Sequence, residues 1–172
     1  ARGAEPTMLT PAIRAFINEP SPIIVAKASF LSRVHRRSHA DYIGVKRYDE
    51  RGEVIGETRF VGLFTSEAYT RAADEVPLIR RKIENVKAAA PKSSRFSAKQ
   101  LDSVLKTYPR DELFQISEPD LARITSGVLR LLLRPRTHLF IRRDRFDRYV
   151  SALLYTPRDS YTSELRTRAH KM

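Results

Sequence analysis

The sequence contains no cysteine and no tryptophan, and only six of its 172 residues are glycine. Without cysteine the chain has no disulfide, no thiolate nucleophile and no cysteine-ligated zinc. Its glycines form neither Gly-x-Gly-x-x-Gly nor Gly-x-x-x-x-Gly-Lys, the phosphate-binding loops of common nucleotide-binding folds. The serine-nucleophile turn Gly-x-Ser-x-Gly is also missing. These absences argue against an independent small enzyme.

Long apolar runs are missing too. The longest candidates are residues 23–26 and residues 129–133, which Arg130 interrupts, and both are far shorter than the roughly 20 residues that a membrane-spanning helix needs. The N-terminus lacks the apolar region of a signal peptide. We therefore expect a cytoplasmic protein with no membrane contact. The hydrophobic fraction of 41% is enough for one folded domain or two small ones.

Basic residues exceed acidic ones, 32 to 20, which gives a formal net charge of +12. The two signs are interleaved along the whole chain rather than gathered in one block. A plain charged surface is the reading that this pattern favours. A free-standing basic module that binds nucleic acid stays open as an alternative, and so does an anionic ligand or an acidic neighbouring domain.

The first 65 residues carry mostly strand patterns. An apolar-periodic helix is predicted at 11–17, followed by a buried strand at 23–29. Val, Ile, Tyr and Phe on either side of the turn at 49–52 predict a hairpin over 41–64. Glycine inside a strand marks a bulge or a close backbone approach. Three such positions fall in this hairpin: Gly44, Gly56 and Gly62.

The next 70 residues carry helix patterns. Three helices are predicted, each ended by a proline: from Pro77 to Pro91, from Ser97 to Pro109 and from Ser117 to Pro135. Capping boxes, Ser97–Gln100 and Ser117–Asp120, open the last two. The third helix should direct these apolar residues inward: Leu121, Ile124, Val128, Leu131 and Leu132.

Strand patterns return near the end of the chain. Residues 138–142 and 148–155 predict a second hairpin around a turn at 144–147. Ser160 or Thr162 then caps the start of a final helix. Hairpins that alternate with runs of helices predict an α+β fold. Antiparallel units of this kind suit ferredoxin-like modules, the class that includes ACT-type regulatory domains.

Two histidines have the spacing of a metal-ligand pair. His35 and His39 lie four residues apart, which places two ligands on one face when the segment is helical. No carboxylate pattern of the metalloprotease type accompanies them, and they lead directly into a predicted strand. We favour a basic surface connection over a metal site.

Two arginine doublets are the candidate binding residues. Arg36, Arg37, Arg80 and Arg81 could hold an anionic effector through bidentate hydrogen bonds. Adjacent residues on a helix point about 100° apart, so the second doublet cannot easily face one ligand. Pairing of that doublet with Glu84 and neighbouring carboxylates is the alternative.

One segment, Thr107 to Gln115, mixes charges and aromatic residues between two predicted helices. Its proline fixes the direction of the chain. We interpret it as a packed corner in which Arg110 bonds Asp111, Glu112 or helix carbonyls, with no reaction chemistry implied.

Several segments in order resemble the large bacterial NAD-specific glutamate dehydrogenases. The segments run from about Pro22 to Arg168: 34–37, 41–46, 59–66, 77–82, 107–115, 148–151 and 155–159. In that family a long N-terminal part with ACT-like modules and helical linkers precedes a catalytic part. The resemblance is to the N-terminal part.

The resemblance implies a regulatory or assembly role without catalysis. It implies that the intact enzyme oxidises L-glutamate with NAD to 2-oxoglutarate, ammonia and NADH. The catalytic and NAD-binding residues then lie outside these 172 positions, and no cofactor or metal is bound here. The expected partners are other domains of the same polypeptide and further copies in a homo-oligomer.

The resemblance also implies a division into three parts. Residues 1–90 would form an ACT-like module, residues 91–135 a helical linker, and residues 136–172 the start of a further ACT-like module. The chain opens without methionine and ends in a helix pattern that has no stop signal. We therefore expect a piece of a longer polypeptide.

Overall fold

The computed structural model describes residues 17–90, 95–146 and 149–169. Their contacts divide them into two compact units. The sheet unit contains residues 17–65 with 145–146, and the helical unit contains residues 66–90, 95–144 and 149–169. The predicted helix over 11–17 lies outside the described residues except for Ile17.

The sheet unit is built on three antiparallel strands in the order β1-β2-β3. They are β1 Ile23–Leu31, β2 His39–Tyr48 and β3 Val54–Gly62. The predicted strand and hairpin are thereby confirmed, although β1 runs two residues further than expected. The turn between β2 and β3 needs glycine, because Gly52 has a φ of 82°.

The three strand glycines differ in their surroundings. A Cβ at Gly44 would lie 2.9 Å from the Cγ2 of Ile24 and 2.8 Å from a carboxylate oxygen of Glu57, so a close approach is confirmed there. Gly56 and Gly62 have open space around them, and a close approach is wrong for both. The register shifts just beside Gly56, where a bulge accommodates the extra residue.

The helical unit consists of helices followed by a hairpin. Its helices are α1 Ser66–Thr70, α2 Pro77–Ala89, α3 Arg95–Thr107, α4 Arg110–Gln115, α5 Glu118–Leu133 and α6 Ser163–Ala169. Its strands are β4 His138–Arg143 and β5 Val150–Tyr155, which pair antiparallel. Short 3-10 helices lie at Ala73–Glu75 and Arg158–Ser160. The α+β class is confirmed.

The ends of the helices follow the predicted caps in two cases out of three. At the start of α5 the hydroxyl of Ser117 accepts a hydrogen bond from the backbone amide of Asp120. At the start of α6 the hydroxyl of Thr162 accepts one from the amide of Leu165. The cap at Ser97 is wrong, because α3 begins two residues earlier, at Arg95.

The helical unit has one apolar core. Three turns of α2 contribute Ile79, Ile83 and Val86, and α3 and α5 supply most of the remainder. Leu132 was predicted to face inward, but its side chain is 52% exposed. The reason is geometric: Leu121, Ile124, Val128 and Leu131 already define the buried stripe, and Leu132 lies about 100° away from Leu131.

The contacts divide the chain differently from the three predicted parts. The prediction placed helix 77–90 with the first hairpin, in residues 1–90. In the structure that helix belongs to the helical unit, because its apolar face packs against α3, α4 and α5. The second hairpin joins the same unit through Phe140, which lies in its core.

Candidate functional site

The first arginine doublet lies in the loop that joins β1 to β2. The amide of Ser32 donates to the carbonyl of Ser38 at 2.8 Å and closes the loop at its base. The hydroxyl of Ser32 also accepts the amide of Val34. His35 adopts a left-handed backbone conformation with a φ of 59°. The loop therefore turns sharply and holds Arg36 and Arg37 exposed to solvent.

An open groove borders this loop, and we call it the loop groove. Its described lining combines three arginines, Arg33, Arg36 and Arg37, with apolar side chains of the loop and the sheet. The apolar members are Phe30, Leu31, Val34, Ala40, Val61 and Leu63. No carboxylate is among these lining residues. The arrangement can bind an anionic group beside an apolar one.

The second doublet lies elsewhere. Arg80 and Arg81 are exposed on α2 of the helical unit, whereas Arg36 and Arg37 belong to the sheet unit. Within the described residues neither Arg80 nor Arg81 forms an ion pair with Glu84. An anionic effector site made of these four arginines therefore stays a prediction.

The two histidines are not arranged on a helix. The loop between the strands carries His35, and β2 begins with His39. The Nδ1 atom of His39 lies 3.0 Å from the carbonyl oxygen of Ala28. Among the residues that the structure describes, no group of three or more His, Cys, Asp or Glu side chains could hold a metal ion.

A buried ion pair joins α4 to the second hairpin. The guanidinium of Arg142 donates to both carboxylate oxygens of Glu112, each at 2.9 Å, and also to the carbonyl of Arg143. The two side chains are only 6% and 12% exposed. Burial acts to lower the pKa of Arg142, but the hydrogen bonds and charge of Glu112 outweigh it and raise that pKa. The guanidinium of Arg142 therefore stays charged, and its hydrogen bonds to Glu112 fix the hairpin on the helix.

Two tyrosines surround this ion pair. The hydroxyl of Tyr149 donates to the side-chain oxygen of Gln115, which is also on α4. The hydroxyl of Tyr108 is buried and has no hydrogen-bond partner among the described residues. Burial and the nearby charge of Glu112 raise the pKa of Tyr108, which keeps that hydroxyl protonated.

The corner at Thr107–Gln115 is packed as predicted, since Leu113 is fully buried. One guanidinium nitrogen of Arg110 donates to the carbonyl of Arg71, just past the end of α1, at 2.7 Å. At the other end of α4, the Nζ of Lys82 donates to the carbonyls of Leu113 and Ile116. These cations satisfy carbonyls that helix ends leave without partners.

Sequence reasoning did not single out Arg142 or Lys82. Strand alternation offered a signal for the first, because Arg142 shares a face with Phe140, two residues before it. Lys82 lies three residues after Ile79 and one before Ile83, at the edge of the apolar stripe of α2. Nothing in its sequence pattern indicated that it would reach the end of α4.

The helical unit matches two family models in succession. Residues 76–134 match "Glutamate dehydrogenase, helical motif 1", and residues 138–172 match "Glutamate dehydrogenase, ACT2 domain". The first match includes α2 to α5, and the second begins at the first residue of β4. The chain belongs to the glutamate dehydrogenase family. The resemblance noted in the sequence is confirmed.

Curated relatives support the same family over most of the chain. A protein of Halomonas elongata is 40% identical over 158 residues, which are 91% of this chain and 10% of the relative. One of Pseudomonas aeruginosa is 35% identical over 92% of this chain, and one of Mycobacterium tuberculosis is 34% identical over 84%. All three are named NAD-specific glutamate dehydrogenase. The chain spans about a tenth of the length of these relatives.

No helix in the described ranges has the length and apolar character to cross a membrane.

Proposed function

We propose that the chain is a non-catalytic regulatory or assembly segment of an NAD-specific glutamate dehydrogenase. The intact enzyme would convert L-glutamate, NAD and water to 2-oxoglutarate, ammonia and NADH. The observation that carries this proposal is the match over 91% of the chain to a relative of that name, of which the chain spans 10%. A tenth of such a relative cannot hold every part of it, and the matched parts are a helical motif and an ACT domain.

The proposed NAD site lies outside these 172 residues. Support comes from the sequence, which contains no glycine-rich phosphate loop. The partners of the segment are then other domains of the same polypeptide, within a homo-oligomer in the cytoplasm. In this arrangement the helical unit serves as a rigid spacer, since its core and the ion pair between Arg142 and Glu112 hold helices and hairpin together.

The decisive test is the coding sequence on both sides of this segment. We expect one reading frame that continues into a glutamate dehydrogenase catalytic region. Its full-length product should form NADH from L-glutamate, measured at 340 nm, whereas the purified 172-residue chain should form none. NADH formation by the short chain alone would contradict the proposal, and so would a reading frame without a dehydrogenase region.

The regulatory part of the proposal places an anionic effector in the loop groove, held by Arg36 and Arg37. Its described lining brings arginines next to apolar side chains, which suits a ligand with an anionic and an apolar part. Arg80 and Arg81 are a second proposed position for an anion, and they are less suited because they diverge on one helix.

The effector proposal is tested on the full-length enzyme with inorganic phosphate, citrate and L-aspartate as probes. At least one probe should change the KM for glutamate in the wild type. That change should disappear in R36A/R37A and persist in R47A/R51A, which removes two exposed arginines outside the groove lining. A probe effect that survives R36A/R37A, or the lack of any effect in the wild type, refutes this site.

A further inference from the structure

The C-terminal end of α5 carries an apolar surface that is open to solvent. We call residues 130–136, Arg-Leu-Leu-Leu-Arg-Pro-Arg, the α5 ridge. Leu131 faces the core, but its neighbours Leu132 and Leu133 are 52% and 71% exposed. Single exposed leucines are common on protein surfaces, whereas adjacent ones beside a groove indicate an interaction site.

Grooves lie on both sides of the α5 ridge. The first is lined by Leu133, Gly127, His138 and Phe140. The second is lined by Leu132 together with side chains from α3, from the end of β5 and from the segment after it: Val104, Thr107, Tyr155 and Pro157. Leu131, Pro135 and Arg136 line both grooves. Two apolar depressions therefore meet at one narrow ridge.

The rim of this surface is basic. Arg130, Arg134 and Arg136 are exposed, and within the described residues none of them forms an ion pair. Arg158 lines the second groove, where Asp159 is the one carboxylate among the described lining residues. The partial negative charge at the end of α5 accounts for a preference for cations there. It does not account for the two exposed leucines between them.

We propose that an acidic amphipathic segment of the same dehydrogenase polypeptide, from outside residues 1–172, docks on the α5 ridge. Its carboxylates would pair with Arg130, Arg134 and Arg136, and its apolar side chains would cover Leu132 and Leu133. Charge complementarity favours this occupant over a second copy of the chain, because two copies would each bring a net charge of +12. The exposed leucines disfavour a nucleic-acid backbone, which offers phosphates and no apolar cover. The inference rests on the proposed function, which supplies the longer polypeptide.

Photo-crosslinking in the full-length enzyme tests the proposal. Leu133→p-benzoylphenylalanine and, in a second variant, Leu132→p-benzoylphenylalanine place the probe on either side of the ridge. We expect each probe to form a crosslink to an acidic segment of the same protein, identified by mass spectrometry. The charge reversal R130E/R134E/R136E should lower the crosslink yield by on the order of tenfold or more. The matched reversal R47E/R51E/R59E, at three exposed arginines of the sheet unit outside the loop groove, should leave the yield unchanged.

Several outcomes would overturn this docking site. They are a crosslink to residues 1–16, to a segment without excess acidic residues, to nucleic acid or to a different protein. The docking site is also overturned if the charge reversal leaves the crosslink yield unchanged, or if neither probe position forms a crosslink. Failure of the proposed function is separate, because it shows as a missing dehydrogenase region or an inactive full-length product. An active full-length enzyme without the expected crosslink removes the docking site alone.

Discussion

The helical unit and the sheet unit are stabilised by different kinds of interaction. In the helical unit α2, α3 and α5 share one apolar core, which also includes Phe140 of the hairpin. In the described part of the sheet unit the buried apolar residues are Ile24, Ala26 and Ala40. Burial of large aliphatic side chains contributes about 1.5–3 kcal/mol each. The helical unit therefore depends mainly on apolar packing.

The sheet unit also buries charged groups. Asp41 is buried from solvent. Its carboxylate accepts hydrogen bonds from the Nζ of Lys27 at 2.6 Å and from the backbone amide of Phe64 at 2.7 Å. Lys46, also buried, donates to the carbonyls of Ile17 and Glu19. Buried charges are tolerated when their hydrogen bonds are satisfied and become costly when they are not. The comparison shows that satisfied charges make up a larger share of the buried groups in the sheet unit than in the helical unit, which has the larger apolar core.

The helical unit buries charged groups as well, namely Arg142 in its ion pair with Glu112, and Asp144. Glu112→Ala leaves the guanidinium of Arg142 buried without its carboxylate. We expect the free energy of unfolding of the helical unit to fall by about 3–5 kcal/mol. Urea unfolding followed by circular dichroism at 222 nm measures it.

The double variant Glu112→Leu with Arg142→Met serves as the control. Both replacements are apolar, so neither buried charge of this pair remains. We expect it to recover most of the stability that Glu112→Ala loses. If the double variant is as unstable as the single one, the unpaired charge is not the cause, and the helical unit does not depend on this ion pair.

Packing in the helical unit is tested by two leucines of the same helix. Leu121→Ala removes a side chain that is fully buried in α5, and we expect a loss of about 2–5 kcal/mol in the free energy of unfolding. Leu133→Ala is the matched control in the isolated chain, because Leu133 is largely exposed. Its effect should stay within about 0.5 kcal/mol. Equal losses in the two variants would contradict the assignment of the core.

Much of this fold could be predicted from the sequence because its signals are local. Proline at helix ends, the serine cap at Ser117, the apolar run of β1 and the turn between β2 and β3 depend on neighbouring residues alone. The apolar stripe of α5 was also correct, apart from Leu132. The error at Ser97 places the start of α3 two residues too late. The error at Leu132 extends the buried face of α5 by one residue beyond Leu131.

The remaining features depend on residues that are far apart in sequence. Glu112 and Arg142 are 30 positions apart, and Lys82 is 31 positions from Leu113. Neither contact has a local pattern, because each arises only after α2, α4 and the hairpin have packed. The packing of α2 against α3, α4 and α5 was not predicted, for the same reason. The apolar stripe of α2 predicts that one face is buried and does not identify the helices that bury it.

The charged interior of the sheet unit is tested at Asp41. Asp41→Asn keeps the shape of the side chain and removes the charge that Lys27 faces. Hydrogen bonds to charged groups contribute about 1.5–3 kcal/mol, so we expect a loss of that order. Faster amide hydrogen exchange in β1 to β3 reports it. Asp49→Asn, at the exposed turn, is the control and should change exchange little, because asparagine also accepts turn amides.

The smallest expected effect concerns an exposed ion pair network in the helical unit. The Nζ groups of Lys87 and Lys106 both bond Asp102, which links α2 to α3. These hydrogen bonds lower the pKa of the Asp102 carboxyl below its ordinary value of 3.8. A group whose pKa is lower in the folded state adds stability above its unfolded pKa and loses it as pH falls through the folded pKa.

Asp102→Asn should therefore cost about 0.5 kcal/mol at pH 7, since exposed ion pairs contribute little. The difference from the wild type should shrink towards zero below pH 3.8, where the wild-type carboxylate also loses its charge. Urea unfolding at pH 7 and at pH 2 measures both values. A loss at pH 7 as large as that of Leu121→Ala would mean that charges matter as much as packing in the helical unit. The contrast between the two units would then disappear.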